Sequence, residues 1–480
     1  MTGKIRLNPR RFARLAPALA LACLLPALDA VARGLALARV FGDHMVLQQG
    51  GPVPVWGRAA PERGVAVAFA GHVVKTTAGA DGRWHATLPA LPASAEPRTL
   101  RVRADGETVE INDVLVGEVW LCAGQSNMEW PLSRDARARG ELPRATHPMV
   151  RLLNLDFAGK FIFAKPFPDA VIARLTPEAF YRGAWARCEP AAAAPFSAIG
   201  YYFARDLQAA LGVPVGVVNL AVGGSPAEAW VSREALAADA ELRPMLEGSW
   251  LDNPALEPWC RQRGMENLGA ALKAGKPVPD ADGGGPAHPF KPGFLWDAGP
   301  APLLPFAMRG VLWYQGESNA LSARRTAQHE RLFPLLVRDW RARRGRGGFP
   351  FLYCQLSSIE AAGYPSENWP EFRDSQRRLR EKIPDAGMVV TSDAGARRDV
   401  HPREKRVVGA RLARLALAQT YGRAILPGGP EPVSASAAPG ALRVAFAQTG
   451  AGLRTSDGAA PRGFELAGAD GQFHPAAARL

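Results

Sequence analysis

Cysteine is scarce in this chain of 480 residues, with five in all. Four of them, Cys122, Cys188, Cys260 and Cys354, are widely spaced. Such spacing fits neither a zinc site nor a dense disulfide framework, and it leaves room for one disulfide whose pair the sequence does not choose. Neither a metal nor a cofactor is called for. Acidic residues are outnumbered, 45 Asp and Glu against 58 Lys and Arg, for a net charge of +13. The arginines are scattered and lack the interleaved aromatic ladder that grips nucleic-acid strands, so no nucleic acid is expected as a partner. A basic protein of this kind is better suited to acidic glycans or an anionic envelope surface. No internal repeat is evident. The apolar stretch from Leu15 to Leu28 is short for a span of about 20 residues and holds Pro17 and Pro26, so stable membrane insertion is not expected.

That stretch follows Lys4, Arg6, Arg10, Arg11 and Arg14 and ends near the small residues Ala30 and Ala32. Residues 1–32 therefore read as a cleaved export signal, and the mature protein as periplasmic or secreted. Cys23 lies inside the apolar stretch, and Ala20 stands where a lipoprotein site usually has leucine. Removing residues 1–30 takes away five positive charges and one negative and leaves +9. The length implies two or three domains. Residues 40–117 alternate short apolar segments with Gly, Pro and Asp81-Gly82 turns, as in a small antiparallel β domain. Residues 118–424 alternate apolar strands with amphipathic helices, which argues for a mostly parallel sheet covered by helices. Residues 425–480 return to β-like text, expected to join or neighbour the first β domain.

In an open parallel sheet, ligands bind outside the carboxyl ends of the strands. Several expected strands end in polar clusters: Ser126 after Glu118 to Cys122, Gly223-Gly224-Ser225 after Val215 to Leu220, Gln315 to Asn319 after Val311 to Tyr314, and Asp393 after Met388 to Thr391. Ser126, in Gly124-Gln-Ser-Asn-Met128, stands where a nucleophile belongs and needs both a base and donors for the developing oxyanion. Ser225, Pro226 and Glu228 spell a capping box that would start a helix, leaving the Gly223 and Gly224 amides as oxyanion donors. The Asn319 amide is a third candidate donor. Glu317 reads as a structural residue orienting loops rather than as a base. Of eight histidines, His401 stands apart: it precedes a helix expected from about Pro402 to Gln419, and Asp399 lies two residues before it. His329, in Gln328-His-Glu330, reads as a surface residue.

Taken in order, Cys122-Ala-Gly-Gln-Ser-Asn-Met-Glu-Trp130, Val218-Asn-Leu-Ala-Val-Gly-Gly-Ser-Pro-Ala-Glu-Ala-Trp230, Gly310-Val-Leu-Trp-Tyr-Gln-Gly-Glu-Ser-Asn319 and Asp399-Val-His-Pro402 resemble the successive blocks of the sialate O-acetylesterase family, within the SGNH hydrolases. Phe41-Gly-Asp-His-Met-Val-Leu-Gln48 and Phe372-Arg-Asp-Ser-Gln376 resemble further elements of it. The resemblance implies a flavodoxin-like three-layer α/β/α esterase domain with an accessory β-sandwich. It implies Ser126 as nucleophile, His401 as base and Asp399 (or Asp393) as orienting acid. It further implies an oxyanion hole of Ser126, Gly223 or Gly224 and Asn319, with Gln125, Gln315 and Glu317 toward substrate. Two departures stand out. Leu295 to Pro302 lacks the family's Tyr-Asn-Gly-Met run, and the β segment 425–480 reads as shortened.

The expectation is an exported serine esterase that removes O-acetyl groups from sugars, sialate 9-O-acetyl esters first. Acetyl-xylan or another polysaccharide is the alternative substrate. A non-catalytic glycan-binding protein is the rival of a different class, and would have been favoured by a missing base or donor. A lipase or thioesterase is disfavoured because no long apolar lid is evident. Oligomeric state is not legible.

Overall fold

One strand organises the molecule. In the computed structural model, which describes residues 34–345, 347–360 and 368–480, β8 runs unbroken from Glu107 to Gly124. The export-signal expectation for residues 1–32 lies outside the described residues. Strands β1 (Ala36–Leu37), β3 (Val53–Arg58) and β6 (Arg83–Leu88) form one antiparallel sheet. The first half of β8 pairs with β7 (Ser94–Ala104) and, in parallel, with β2 (Val46–Gln48). Beyond β7 lie β4 (Gly64–Phe69) and β5 (His72–Thr77). Alternate residues turn inward: Trp84, Ala86 and Leu88 of β6 and Val65, Val67 and Phe69 of β4 are buried. The boundary expected between residues 117 and 118 lies inside β8, which passes unbroken through it. Gly117 is required there because a Cβ would lie 2.0 Å from the Pro214 carbonyl oxygen.

The second half of β8 is the centre of a larger sheet. It lies between β13 (Val215–Asn219) and β14 (Gly310–Tyr314). Beyond β13 come β9 (His147–Asn154) and the antiparallel edge strand β12 (Trp185–Cys188); beyond β14 come β15 (Phe351–Cys354) and β16 (Ala386–Val389). All but β12 are parallel. From β8 the chain builds first to one side and then to the other, so the carboxyl end of β8 is the topological switch point where ligand sites form. Side chains alternate across the sheet. Val119 and Leu121 join a core with Val218, Val311, Trp313 and helix residues Phe333, Leu336 and Trp340. Trp120 and Cys122 join another with Val217, Leu312, Tyr202, Phe203, Leu412 and Leu415. The helix expected from Pro402 begins at Arg406 and runs to Gln419.

Two corrections arise here. Of the two alternatives for the tail, joining the first β domain or neighbouring it, the first fails: β17 (Glu431–Ala438) and β18 (Ala441–Ala447) pair only with each other, as do β19 (Glu465–Ala467) and β20 (Phe473–Pro475). Val433, Leu442, Leu466 and Phe473 are exposed, so these strands lack the buried face that would dock them. His329 is buried, stacked on Phe333 and against Phe372. It shares the stripe Leu332, Phe333, Leu336, Val337 and Trp340 of helix Ala323–Arg344, a 3.6-residue period that points inward. The four described cysteines are buried and free.

His288 is a second buried imidazole. Its Nδ1 accepts the Phe290 N–H at 3.0 Å, and its Nε2 meets Asn267 Oδ1 at 3.1 Å, which requires the Nε2–H tautomer. Burial pushes both imidazoles down to about 3. An unfolded histidine binds its proton below about 6.5, whereas these two resist it until about 3, so the unfolded state holds more protons in between. Stability is therefore full above pH 6.5 and falls as the pH drops, by roughly 3 kcal/mol per histidine at pH 4.5. Urea midpoints at pH 7 and pH 4.5 should show this loss, and His329→Leu should remove about half of it. An unchanged slope in that variant would assign the acid sensitivity to other groups.

Candidate active site

Ser126 lies immediately beyond β8 as the first residue of the short helix Ser126–Glu129. Its backbone N–H thus has no intrahelical acceptor. The turn is tight: Gly124 has φ 123°, a Cβ there would sit 2.2 Å from the Tyr314 carbonyl oxygen, and the Gln125 N–H donates to that oxygen at 2.8 Å. Ser126 is half-buried, and its Oγ lies 2.7 Å from His401 Nε2. For Nε2 to accept the hydroxyl proton, the ring hydrogen must be on Nδ1. Trp130 stacks on the imidazole at 5.5 Å and 20°. Burial, then the Lys405 charge, holds the His401 pKa below its ordinary value despite Asp399, so the ring is neutral at pH 7. A neutral imidazole on a serine hydroxyl at the switch point is an arrangement able to transfer an acyl group.

The orienting acid is looser than a triad implies. Asp399 is exposed, its Oδ1 is 3.6 Å from His401 Nδ1, and the same oxygen accepts the His401 backbone N–H at 2.8 Å. Asp393 is excluded from the role: both its oxygens pair with Arg411 at 2.6 Å.

What sets the Ser126–His401 spacing is a neighbour that sequence reasoning passed over. Asn127 donates through Nδ2 to Val400 O at 2.9 Å and to Glu317 Oε1, while Lys405 Nζ donates to Asn127 Oδ1. All three side chains are buried. Burial pushes the Glu317 carboxyl up and the Lys405 ammonium down to about 7. Glu317 therefore does orient loops, joining those after β8, after β14 and before the Arg406–Gln419 helix. Asn127 sits in the quoted motif beside Ser126, which was the available signal. Nothing in the sequence marks Lys405 as buried.

Several expected site residues carry hydrogen bonds of their own. Asn319 is fully buried, accepting at Oδ1 from Ala227 N (3.0 Å) and Gln315 Nε2 (2.6 Å) and donating to Glu228 Oε2 (3.0 Å). Glu228 in turn pairs with the buried Arg325 at 2.6 Å. Among the described residues no hydrogen bond joins Asn319 to Ser126; these bonds tie Asn319 into a buried ionic network, with one amide N–H given to Glu228. Gln315 is fully buried in that network, and Gln125 Oε1 accepts from Gly316 N (3.3 Å) and Ser318 N (3.4 Å), so both glutamines tie loops together. The capping box does not form. Ser225 Oγ donates to Val222 O (2.8 Å) and accepts from Trp230 Nε1 (2.9 Å), and only a 3-10 turn, Ala227–Trp230, follows. The reason is that Glu228 is taken by Arg325 and Asn319. The Gly224 carbonyl accepts from Ser318 Oγ at 2.8 Å. The Gly223 N–H donates to Glu129 Oε2 at 2.7 Å.

Aromatic and basic groups lie close to Gly223 and Glu129. A Cβ on Gly223 would lie 3.6 Å from Ser126 Cβ and 3.7 Å from Phe163 Cε1, so Ser126 and Phe163 both flank Gly223, and the Lys160 and Arg134 charges act on Glu129. Phe163 and Phe161 are exposed, and Phe161 is flanked by Arg134 and Lys160 at 5.3 and 5.2 Å. Among the described residues no group of three or more His, Cys, Asp or Glu could hold a metal ion, and no helix is long and apolar enough to cross a membrane.

Comparison with known proteins gives the class. Residues 300–418 match the model of a carbohydrate esterase family described as sialic acid-specific acetylesterase. A solved structure described as a carbohydrate acetylesterase from Xanthomonas citri superposes with a TM-score of 0.74 at 34% identity, covering 93% of this chain and 89% of that one. The sialate O-acetylesterases of Mus musculus and Homo sapiens are each 30% identical over 66% of this chain, which spans 58% and 55% of their lengths. The chain belongs to the sialate O-acetylesterase family of carbohydrate esterases.

Proposed function

We propose that this protein is a serine esterase that removes O-acetyl groups from sugars. The observation that carries the reading is the 2.7 Å Ser126–His401 contact at the carboxyl end of β8. As Ser126 Oγ bonds to the acetyl carbonyl carbon, its proton passes to His401 Nε2. The tetrahedral intermediate collapses with the imidazolium returning that proton to the departing sugar oxygen. A water then adds to the acetyl-enzyme with His401 again as base, and acetate leaves. The Ser126 N–H is the first oxyanion donor. In this reading the parallel sheet with a core on each face is the SGNH-type three-layer domain, and β1 to the first half of β8 is its accessory sandwich.

A sialate ester is the first substrate. Arg134 and Lys160 would meet a sugar carboxylate while Phe161 and Phe163 offer ring faces to the sugar, and curated relatives carry the sialate O-acetylesterase name. Export, to the periplasm or beyond, belongs to the same proposal and rests on the character of residues 1–32 alone.

Acetate release from acetylated sialic acids, acetyl-xylan and p-nitrophenyl acetate tests the reading, with the intact chain and Ser126→Ala side by side. Preference for sialate esters with release abolished in the variant is expected. Preference for acetyl-xylan would move the substrate to neutral polysaccharides. Equal release by both proteins would end the esterase reading in favour of a glycan-binding role.

A further inference from the structure

Glu129 is a buried carboxylate beside the nucleophile that the mechanism above leaves unused. It sits three residues after Ser126 on the same helical turn, buried, with Oε2 2.7 Å from the Gly223 nitrogen. A Cβ built on Gly223 would be 2.8 Å from that oxygen and 3.6 Å from Ser126 Cβ, so carboxyl, amide and nucleophile share one small space. The Gly223 amide lies beside the nucleophile as a second candidate oxyanion donor, after the Ser126 N–H, and it is already occupied by an acid.

That arrangement has an electrostatic consequence. An ionised carboxylate on this amide takes the donor and sets a negative charge beside the position where the acyl oxygen becomes negative. A neutral acid removes the repulsion, holds the amide more weakly and carries an O–H of its own to give. We propose that Glu129 gates the oxyanion site: ester hydrolysis proceeds with Glu129 neutral and is blocked when it ionises. The inference rests on the esterase reading of Ser126 and His401.

The surroundings bring the change between neutral and ionised Glu129 close to physiological pH. Burial raises the Glu129 carboxyl to about 7; Lys160 and Arg134 pull it down, the Gly223 N–H does the same, and Asp156 pushes it up. Lys160 and Asp156 are themselves paired at 2.6 Å, which mutes both. Tyr181, also close, is spent as a donor to Leu220 O at 2.7 Å. His401 must be neutral and its own pKa lies below the ordinary value. Activity should therefore rise on the acid side as His401 loses its proton and fall on the alkaline side as Glu129 loses its own.

The test is the pH dependence of kcat/KM for acetate release from a neutral acetylated monosaccharide, for the intact chain, Glu129→Gln, Lys160→Met and Ser126→Ala. The intact chain should lose activity about tenfold per pH unit above the Glu129 pKa. Glu129→Gln, neutral at every pH, should lack that limb, so its activity relative to the intact chain climbs about tenfold per unit. Lys160→Met should move the limb to higher pH, and it keeps the inference testable if Glu129→Gln does not fold. An alkaline limb unchanged in the folded Gln variant, no limb in the intact chain up to pH 9, or a limb unmoved by Lys160→Met would overturn the gate. Activity that persists in Ser126→Ala would instead sink the esterase reading, so the two failures are distinguishable.

Discussion

Replacing His401 with alanine should lower kcat for acetate release by about 10⁴- to 10⁶-fold, while Asp399→Asn should change it by less than about tenfold. The asymmetry follows from the geometry. His401 Nε2 is the only described base within hydrogen-bond reach of Ser126 Oγ, and without it the hydroxyl must ionise at its own high pKa. Asp399 is exposed and 3.6 Å from Nδ1, beyond a hydrogen bond. The tasks of a triad acid are divided here. Trp130 stacks on the ring, and Asn127 holds the Val400 carbonyl just before it. Steady-state kinetics of the two variants decide the matter, and a loss near 10⁴ in Asp399→Asn would restore a full triad in which the carboxylate closes on Nδ1 once substrate binds.

Lys405→Met should destabilise the fold by about 3–5 kcal/mol. The lysine is buried, bonded to Asn127, with its ammonium over the faces of Trp130 and Tyr314 at 5.6 and 5.9 Å. Removing it leaves the buried Glu317 carboxyl without the cation that offsets its desolvation. Adding Glu317→Gln should recover much of the loss, because deleting both charges costs less than stranding one. Urea unfolding of the two single variants and the double variant gives the coupling, and strict additivity would mean that the pair does not interact. A kinetic readout separates this role from packing alone. Since the Lys405 charge helps to hold the His401 pKa down, its removal should shift the acid limb of kcat/KM to higher pH. Loss of stability with an unmoved limb would make Lys405 purely structural.

Much of the fold follows from local text. Expected strands at Val215 to Leu220 and Val311 to Tyr314 match β13 and β14 to within a residue, because runs buried on both faces are continuously apolar and end at polar turns. Ser126 and His401 were legible for a related reason: strand ends of a parallel sheet converge, and few histidines follow them. His329 was misread although its helix carries the evidence, since its polar neighbours Gln328 and Glu330 masked a stripe visible only over several turns. The segment after Glu431 reads as β, but the expectation that it joins the first β domain does not hold, because pairing partners are a long-range choice that local pattern leaves open.

The division at the site is sharper. Sequence by itself determined which residues can do chemistry, a serine at the end of a strand and a histidine opening a helix, because nucleophile and base are properties of side chains and strand ends are marked locally. Only the tertiary structure decided what each amide and carboxyl does. Asn319 reads as an oxyanion donor and gives an N–H to Glu228, Gln125 and Gln315 brace loops, and the Gly223 amide meets Glu129. Hydrogen-bond partners are chosen among residues tens to hundreds of positions apart. A buried donor takes whatever acceptor the packing brings, and no local pattern records that choice.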